Sequence, residues 1–284
     1  MTTPKIEYPR VVSRAEWLDA RKRLLAQEKE LTHARDRLNS ERRRLPMVLV
    51  EEPYVFDSEG GQRRLVELFE GRLQLIVYHF MWLWEDGKPL DRGCPNCSGF
   101  VDELTRGHFA HLRGRSTTLA LISRAPIDKI LPFRERMGWS IPWYSSAGSS
   151  FNYDYHTTLD AAVKPVEYNY RTPADHQRAG TSYYFDNQKQ PFDLHAMSCF
   201  LRDGERVFHT YSTYGRGTEG VGGSYYFLDF TALGRQEQWE EPKGRFTGLG
   251  AKAGTVEIGY PDEAEQPAVG AAREGAGNGG DCCR

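Results

Sequence analysis

Two apolar runs set the frame of the chain. Leu73 to Phe80 and Thr117 to Ser123 lack the polar alternation of a half-exposed strand, so both read as central strands buried on two faces, as parallel strands are. An amphipathic segment reaching Leu112 lies between them, and Ile127 to Met137, stopped by Gly138, has helical spacing. Strand, helix, strand, helix in this order predicts a parallel βαβ unit with a right-handed crossover. Upstream, Ser13-Arg14-Ala15-Glu16 has capping-box spacing and predicts a long polar helix over 14–44. Its apolar positions Trp17, Leu24, Leu25, Leu31 and Leu38 form a narrow stripe, Arg42, Arg43 and Arg44 suit its C-terminal end, and Pro46 stops it. Met47 to Phe56 alternates like a strand, 57–61 is a turn, and Leu65 to Phe69 is a short helix ended by Gly71.

Downstream, Trp139 to Ser146 reads as a short strand and loop, and 157–195 is polar, tyrosine-rich and without a period. An insertion of that length is a lid, a binding loop or an oligomer contact. Ser198 to Tyr214 reads as a hairpin about Asp203-Gly204, Tyr225 to Phe230 as a strand or helix start, and Thr231 to Trp239 as a closing helix. From residue 261 the chain is Ala, Gly, Pro and Glu, a composition expected to stay disordered. The expected architecture is α/β: a central sheet flanked by helices, with an N-terminal helical arm (1–46), a main domain (47–245) carrying the insertion, and a tail (246–284).

Composition narrows the function classes. With 284 residues, 27% charged and 12% aromatic, the chain has ample core to stand without disulfides. A net charge of -2 gives no electrostatic footprint for nucleic acid. No apolar run approaches a membrane span, and Met1-Thr2-Thr3-Pro4-Lys5 has no secretory apolar region, so a cytoplasmic location with transient disulfides is expected.

The candidate chemistry sits in Gly93-Cys94-Pro95-Asn96-Cys97-Ser98, at the start of the amphipathic segment. Two thiols at this spacing can close into a disulfide or grip a soft metal ion. A cysteine in a first helical turn is partly thiolate, the nucleophilic form, and Pro95 suits that turn because its missing N–H would have had no helical partner. Since reactive groups at the carboxyl ends of parallel strands face a crevice, Cys94 is expected at an open one. A structural zinc site would need a second pair, and the folded region has none.

His108 and His111 lie on the same expected helix, ~16 Å or more from Cys97 at about 1.5 Å per residue, so they cannot share its coordination sphere. His79 reads as a core histidine that could lie beneath the dithiol, His209 as a cross-strand hydrogen-bonding residue, and His33 as a surface residue. His156 and His176 fall in irregular segments and stay open. Cys199 alternates with apolar neighbours and reads as buried and inert, while Cys282 and Cys283 ride the tail.

Several stretches carry a resemblance: Gly93-Cys94-Pro95-Asn96-Cys97, Ser123-Arg124-Ala125-Pro126, Arg136-Met137-Gly138-Trp139, Ser145 to Asn152 and Val207 to Tyr214. In this order they resemble a bacterial thioredoxin-like, peroxiredoxin-related family of unknown function with a Cys-Pro-x-Cys motif, over roughly 11–240. The resemblance implies a thioredoxin-like sheet and thiol redox chemistry, with Cys94 as nucleophile and Cys97 as resolving thiol.

Two departures stand out. An aromatic flap beginning Met81-Trp82-Leu83-Trp84 separates strand from dithiol, and His195-Ala196-Met197 stands where such enzymes hold a cis-proline. Copper-delivering proteins of the thioredoxin superfamily combine a cysteine pair with a histidine from this region. Cys94, Cys97 and His195 therefore resemble a copper site, with zinc less favoured, and the alternative is a copper-dependent oxidoreductase or copper carrier. The expected partners are a small-molecule or thiol/disulfide substrate and a cellular thiol reductant, without nucleic acid or membrane. Trp82, Trp84, Trp139, Trp143, Tyr153 and Tyr155 favour a small aromatic or apolar substrate. The arm's apolar stripe suggests a homodimer.

Overall fold

The computed structural model describes residues 5–6, 8–185, 188–221, 223, 229–231 and 246–247. The expected element over 225–230, the helix over 231–239 and the tail with Cys282 and Cys283 lie, apart from 229–231 and 246–247, outside the described residues. No helix among the described residues is long and apolar enough to cross a membrane.

After a short strand β1 (Lys5–Ile6), helix α1 (Arg14–Arg42) begins at the expected capping box, where the Ser13 N–H donates to Glu16 Oε2 at 3.0 Å, and it buries no residue. Strands β2 (Val48–Leu49), β3 (Val55–Ser58) and β4 (Gly61–Arg64) follow, then a 3-10 turn at Leu65–Phe69. The single strand expected over 47–56 is thus two pieces on opposite edges of the sheet, and the expected turn at 57–61 closes a β3–β4 hairpin. Pro53, which cannot donate to a ladder, lies between the pieces.

The centre is β5 (Gln74–His79), hairpin β6 (Trp82–Glu85) and β7 (Lys88–Gly93), helices α2 (Pro95–Asp102) and α3 (Arg106–Arg113), β8 (Thr117–Ser123), α4 (Ile127–Arg136) and β9 (Trp143–Ser145). Helix α5 (Phe151–Asp154) precedes the insertion, which holds β10 (Thr158–Leu159), α6 (Pro173–Arg178) and β11 (Phe192–Asp193). It leads into β12 (Ala196–Asp203) and β13 (Arg206–Tyr214), and β14 (Phe246–Thr247) pairs with β1.

The main sheet runs β2-β13-β12-β5-β8-β9-β3-β4. β5 pairs parallel with β8, Tyr78 opposite Leu121, and antiparallel with β12, Tyr78 opposite Met197. The block β8-β5-β12-β13, with parallel strands joined through helices and then an antiparallel hairpin, is the expected thioredoxin-like core. Alternation along β5 divides two cores. Tyr78 and Phe80 face Leu121, Phe133 and Trp143, whereas Leu75 and Val77 face Phe69, Ile122, Phe151 and Phe200.

Two expectations are corrected. The 81–93 stretch is an antiparallel hairpin, turning at Asp86 and Gly87 with φ of 46° and 76°, and Trp82 Nε1 donates to Leu90 O at 2.8 Å. The continuous helix to Leu112 is two helices, because the Thr105 N–H donates to His108 Nδ1 at 3.0 Å and starts a new one. The insertion packs around a cluster of Leu159, Tyr168 and Phe192 with Ala196 of β12 and Tyr214 of β13. Within it the Tyr168 hydroxyl donates to His195 O at 2.8 Å and accepts the Gly215 N–H at 2.9 Å, while His176 Nε2 donates to Tyr168 O at 2.8 Å.

A buried polar chain ties the second core together. Thr157 Oγ1 donates to Asn152 O, so it accepts from His79 Nδ1, at 3.2 Å. His79 Nε2 is then the acceptor for Ser198 Oγ at 2.9 Å. Ser198 in turn accepts from Ser212 Oγ at 2.8 Å, and Ser212 from His209 Nε2 at 2.8 Å. With His79 neutral every member is satisfied in this direction, and burial together with the nearby His209 moves its pKa from 6.5 to about 3.

The linkage has a definite sign. Between those values the unfolded chain binds a proton at residue 79 that the native chain does not. Stability is therefore expected to fall as pH drops below 6.5, by up to about 1.4 kcal/mol per pH unit from this residue. Urea midpoints measured at several pH values should fall less steeply for His79→Gln; equal slopes in the two proteins would refute the assignment.

Candidate dithiol site

Strand β7 delivers the dithiol. Its last residue, Gly93, lies so close to the core that a Cβ there would stand 2.4 Å from the Phe80 ring, which explains the glycine. Cys94 follows as the N-cap of α2 with extended backbone (φ -67°, ψ 129°), its N–H donating to Met81 O at 3.0 Å. Pro95 opens the helix as expected, and Ser98 locks the first turn by donating its N–H and Oγ to Cys94 O at 2.9 and 3.0 Å.

The two thiols are unbridged and chemically unequal. Cys94 is lowered from 9.0 to about 7, first because the Cys97 thiol donates to its sulfur; burial opposes this, and the backbone N–H groups of Cys97 and Asn96 add to it. Cys97 is pushed well up, chiefly by burial and then by donating to the charged Cys94, against smaller contributions from the Tyr78 hydroxyl and the Met81 N–H. The helix N-terminus named by the sequence argument contributes through those two N–H groups, but the neighbouring thiol is the larger cause.

The expected open crevice is not there. Cys94 is 7% exposed and Cys97 1%, both within the aromatic core of Tyr78, Phe80, Trp82, Phe133 and Trp143. Hairpin β6–β7 folds over this end of the sheet, and it is held there. Trp84 Nε1 donates to Asp193 Oδ2 at 2.9 Å, and the Arg124 guanidinium lies 3.9 Å from the Trp84 ring centre. Arg124 Nε and Thr158 Oγ1 both donate to Asp193 Oδ1 at 2.8 Å, completing a clamp between β8, the insertion and the hairpin. Sequence reading singled out Trp84 and the Ser123-Arg124-Ala125-Pro126 stretch but not Asp193, whose two-residue strand carries no pattern.

The histidines are placed as follows. His195 stands just before β12, half-buried, with Nε2 donating to Gly215 O at 3.3 Å and its ring 6.5 Å from that of Tyr78. Tyr78 hydrogen-bonds to Cys97 and stacks on Phe100 at 4.4 Å, so it occupies the ground between imidazole and thiols. Among the described residues no group of three or more His, Cys, Asp or Glu is gathered closely enough to hold a metal, and Cys94, Cys97 and His195 are not brought together as one such group.

Among the described residues the cis peptide is Gln190–Pro191, which precedes β11 and lies outside the main sheet. His79 belongs to the opposite core, stacked 5.5 Å from Phe151, and not beneath the dithiol. His108 and His111 lie exposed on α3. Burial raises the Cys199 thiol to about 11, which agrees with an inert cysteine.

Among solved structures, the chain is similar to Xanthomonas campestris bacterioferritin comigratory protein, described in connection with alkyl peroxide reduction. The identity is 11% over 62% of this chain and 94% of that one, with a TM-score of 0.37. Two cysteine-to-serine variants of Xanthomonas campestris peroxiredoxin Q match at 11% identity over 62% of this chain, covering 94% and 93% of theirs, with TM-scores of 0.38 and 0.37. No curated protein matches the chain. A family model does, over residues 6–252, and the chain belongs to that family, the bacterial proteins of unknown function DUF899.

Proposed function

We propose that this chain is a thiol–disulfide oxidoreductase or thiol peroxidase for small substrates, with Cys94 as nucleophile and Cys97 as resolving thiol. The observation that carries the reading is the asymmetry of the pair: an N-cap sulfur held as thiolate near neutral pH beside a protonated, fully buried partner. The Cys94 thiolate attacks one sulfur of a disulfide and expels the other as thiolate. Cys97 then loses its proton, attacks Cys94 Sγ and releases the second half of the substrate as thiol, leaving an intramolecular disulfide. With a peroxide the first step yields an alcohol or water and a Cys94 sulfenic acid, which Cys97 condenses to the same disulfide with loss of water. A cellular thiol reductant closes the cycle. Burial of Cys94 under the aromatic hairpin restricts direct attack to small electrophiles.

The test uses metal-free reduced protein treated with hydroxyethyl disulfide or hydrogen peroxide. Peptide mapping is expected to find Cys94 linked to Cys97, and Cys97→Ser to accumulate a mixed disulfide on Cys94. The reading fails if the pair stays reduced under excess oxidant, or if the purified protein carries stoichiometric copper that Cys97→Ser removes.

A further inference from the structure

The break between α2 and α3 leaves part of the sheet uncovered. An open cavity of about 580 Å³ lies there, floored by Ile76, Leu119 and Met197 from three neighbouring strands and walled by Leu104 and Leu112. Phe100 closes the side toward the dithiol, stacked on Tyr78 at 4.4 Å, so this space is separate from the thiol site. Its volume is in the range of small-molecule pockets, and its apolar walls stay partly exposed.

Charge at this cavity has one sign. Among the described residues lining it, His108, His111 and Arg115 are the ionisable ones, and none is acidic. Arg115 Nη1 donates to His111 O at 3.2 Å, which holds the guanidinium beside the α3 terminus. Because the Thr105 N–H donates to His108 Nδ1, the neutral ring keeps its own proton on Nε2, as a donor.

We infer that this cavity binds a small amphiphile with an aliphatic body and a carboxylate head, the body on Ile76, Leu112, Leu119 and Met197 and the carboxylate at Arg115 with the two histidines. An alkyl chain matches the floor and walls but cannot satisfy the basic rim; a carboxylate does so through charge-assisted hydrogen bonds. The binding is independent of thiol chemistry.

Calorimetric titration of the full-length protein with decanoate, decanol and decylammonium, all below micellar concentrations, tests this. Decanoate is expected to bind once per chain and about tenfold tighter than decanol, with decylammonium weakest. Arg115→Gln should bring decanoate down to the affinity of decanol. Leu112→Trp, which fills the cavity, should abolish binding, with Leu104→Trp as a second filling variant should the first lose its native circular dichroism. Equal affinity for the three head groups, binding that survives in a folded filling variant, or no saturable binding of decanoate would each overturn the inference.

Discussion

Alkylation of Cys94 by iodoacetamide is expected to rise through a midpoint near pH 7 in the reduced protein, and to shift toward 9.0 in Cys97→Ala. The Cys97 thiol is the largest cause of the lowered value, and alanine removes it while leaving the N–H groups of residues 96 and 97 in place. Burial continues to oppose ionisation, so the remaining donors no longer prevail. At pH 7 the thiolate fraction would drop from about one half to about 1%, some fiftyfold. Greater intrinsic nucleophilicity of the more basic thiolate returns part of this, so the net loss of rate is about sixfold. Above pH 9 the variant should match or exceed the wild type. Superimposable profiles would show that the Cys97 thiol does not set the ionisation of Cys94, and the proposed division of labour between the two sulfurs would go with it.

The same neighbour explains what could and could not be read from the sequence. Cys94, Pro95 and Cys97 lie within four residues, so the helix start and the closeness of the two thiols follow from local spacing alone. Strand Thr117–Ser123 and the hairpin about Asp203-Gly204 were legible for the same reason, being complete signals within a few residues. The burial of the dithiol was not. It depends on Phe133 from α4, Trp143 from β9 and the β6–β7 hairpin converging from separate parts of the chain.

The hairpin itself carried a readable turn in Asp86-Gly87. Yet Met81-Trp82-Leu83-Trp84 is apolar on both faces and shows no alternation, so the strands beside the turn were hidden. The helix break at 103–105 was masked in another way. Val101, Leu104, Phe109 and Leu112 keep an apolar face running through it, so the period continues where the backbone does not. Of the buried polar chain the sequence showed His79 as a core histidine and His209 as a hydrogen-bonding one, but nothing local joined them through Thr157, Ser198 and Ser212.

Asp193→Ala is expected to be the most damaging single change outside the cores, because three donors converge on one carboxylate. Arg124, Thr158 and Trp84 all donate to it, its side chain is 4% exposed, and that of Arg124 is 14% exposed. Arg124 Nη2 already has no hydrogen-bond partner among the described residues, so alanine at 193 would strand a largely buried guanidinium. Breaking one side of such a pair costs about 3–5 kcal/mol, or about 10 °C in Tm for a domain of this size. Replacing both partners with apolar residues, Asp193→Leu with Arg124→Met, should recover most of the loss, since no charge is then left unpaired. The clamp also holds Trp84, and with it the hairpin over the thiols. Asp193→Ala, assayed well below its Tm, is therefore expected to let a bulky aromatic disulfide reagent reach Cys94 several-fold faster while leaving iodoacetamide little changed. Equal acceleration of both reagents would mean general loosening of the fold, and no acceleration of either would mean that Trp84 does not gate the site.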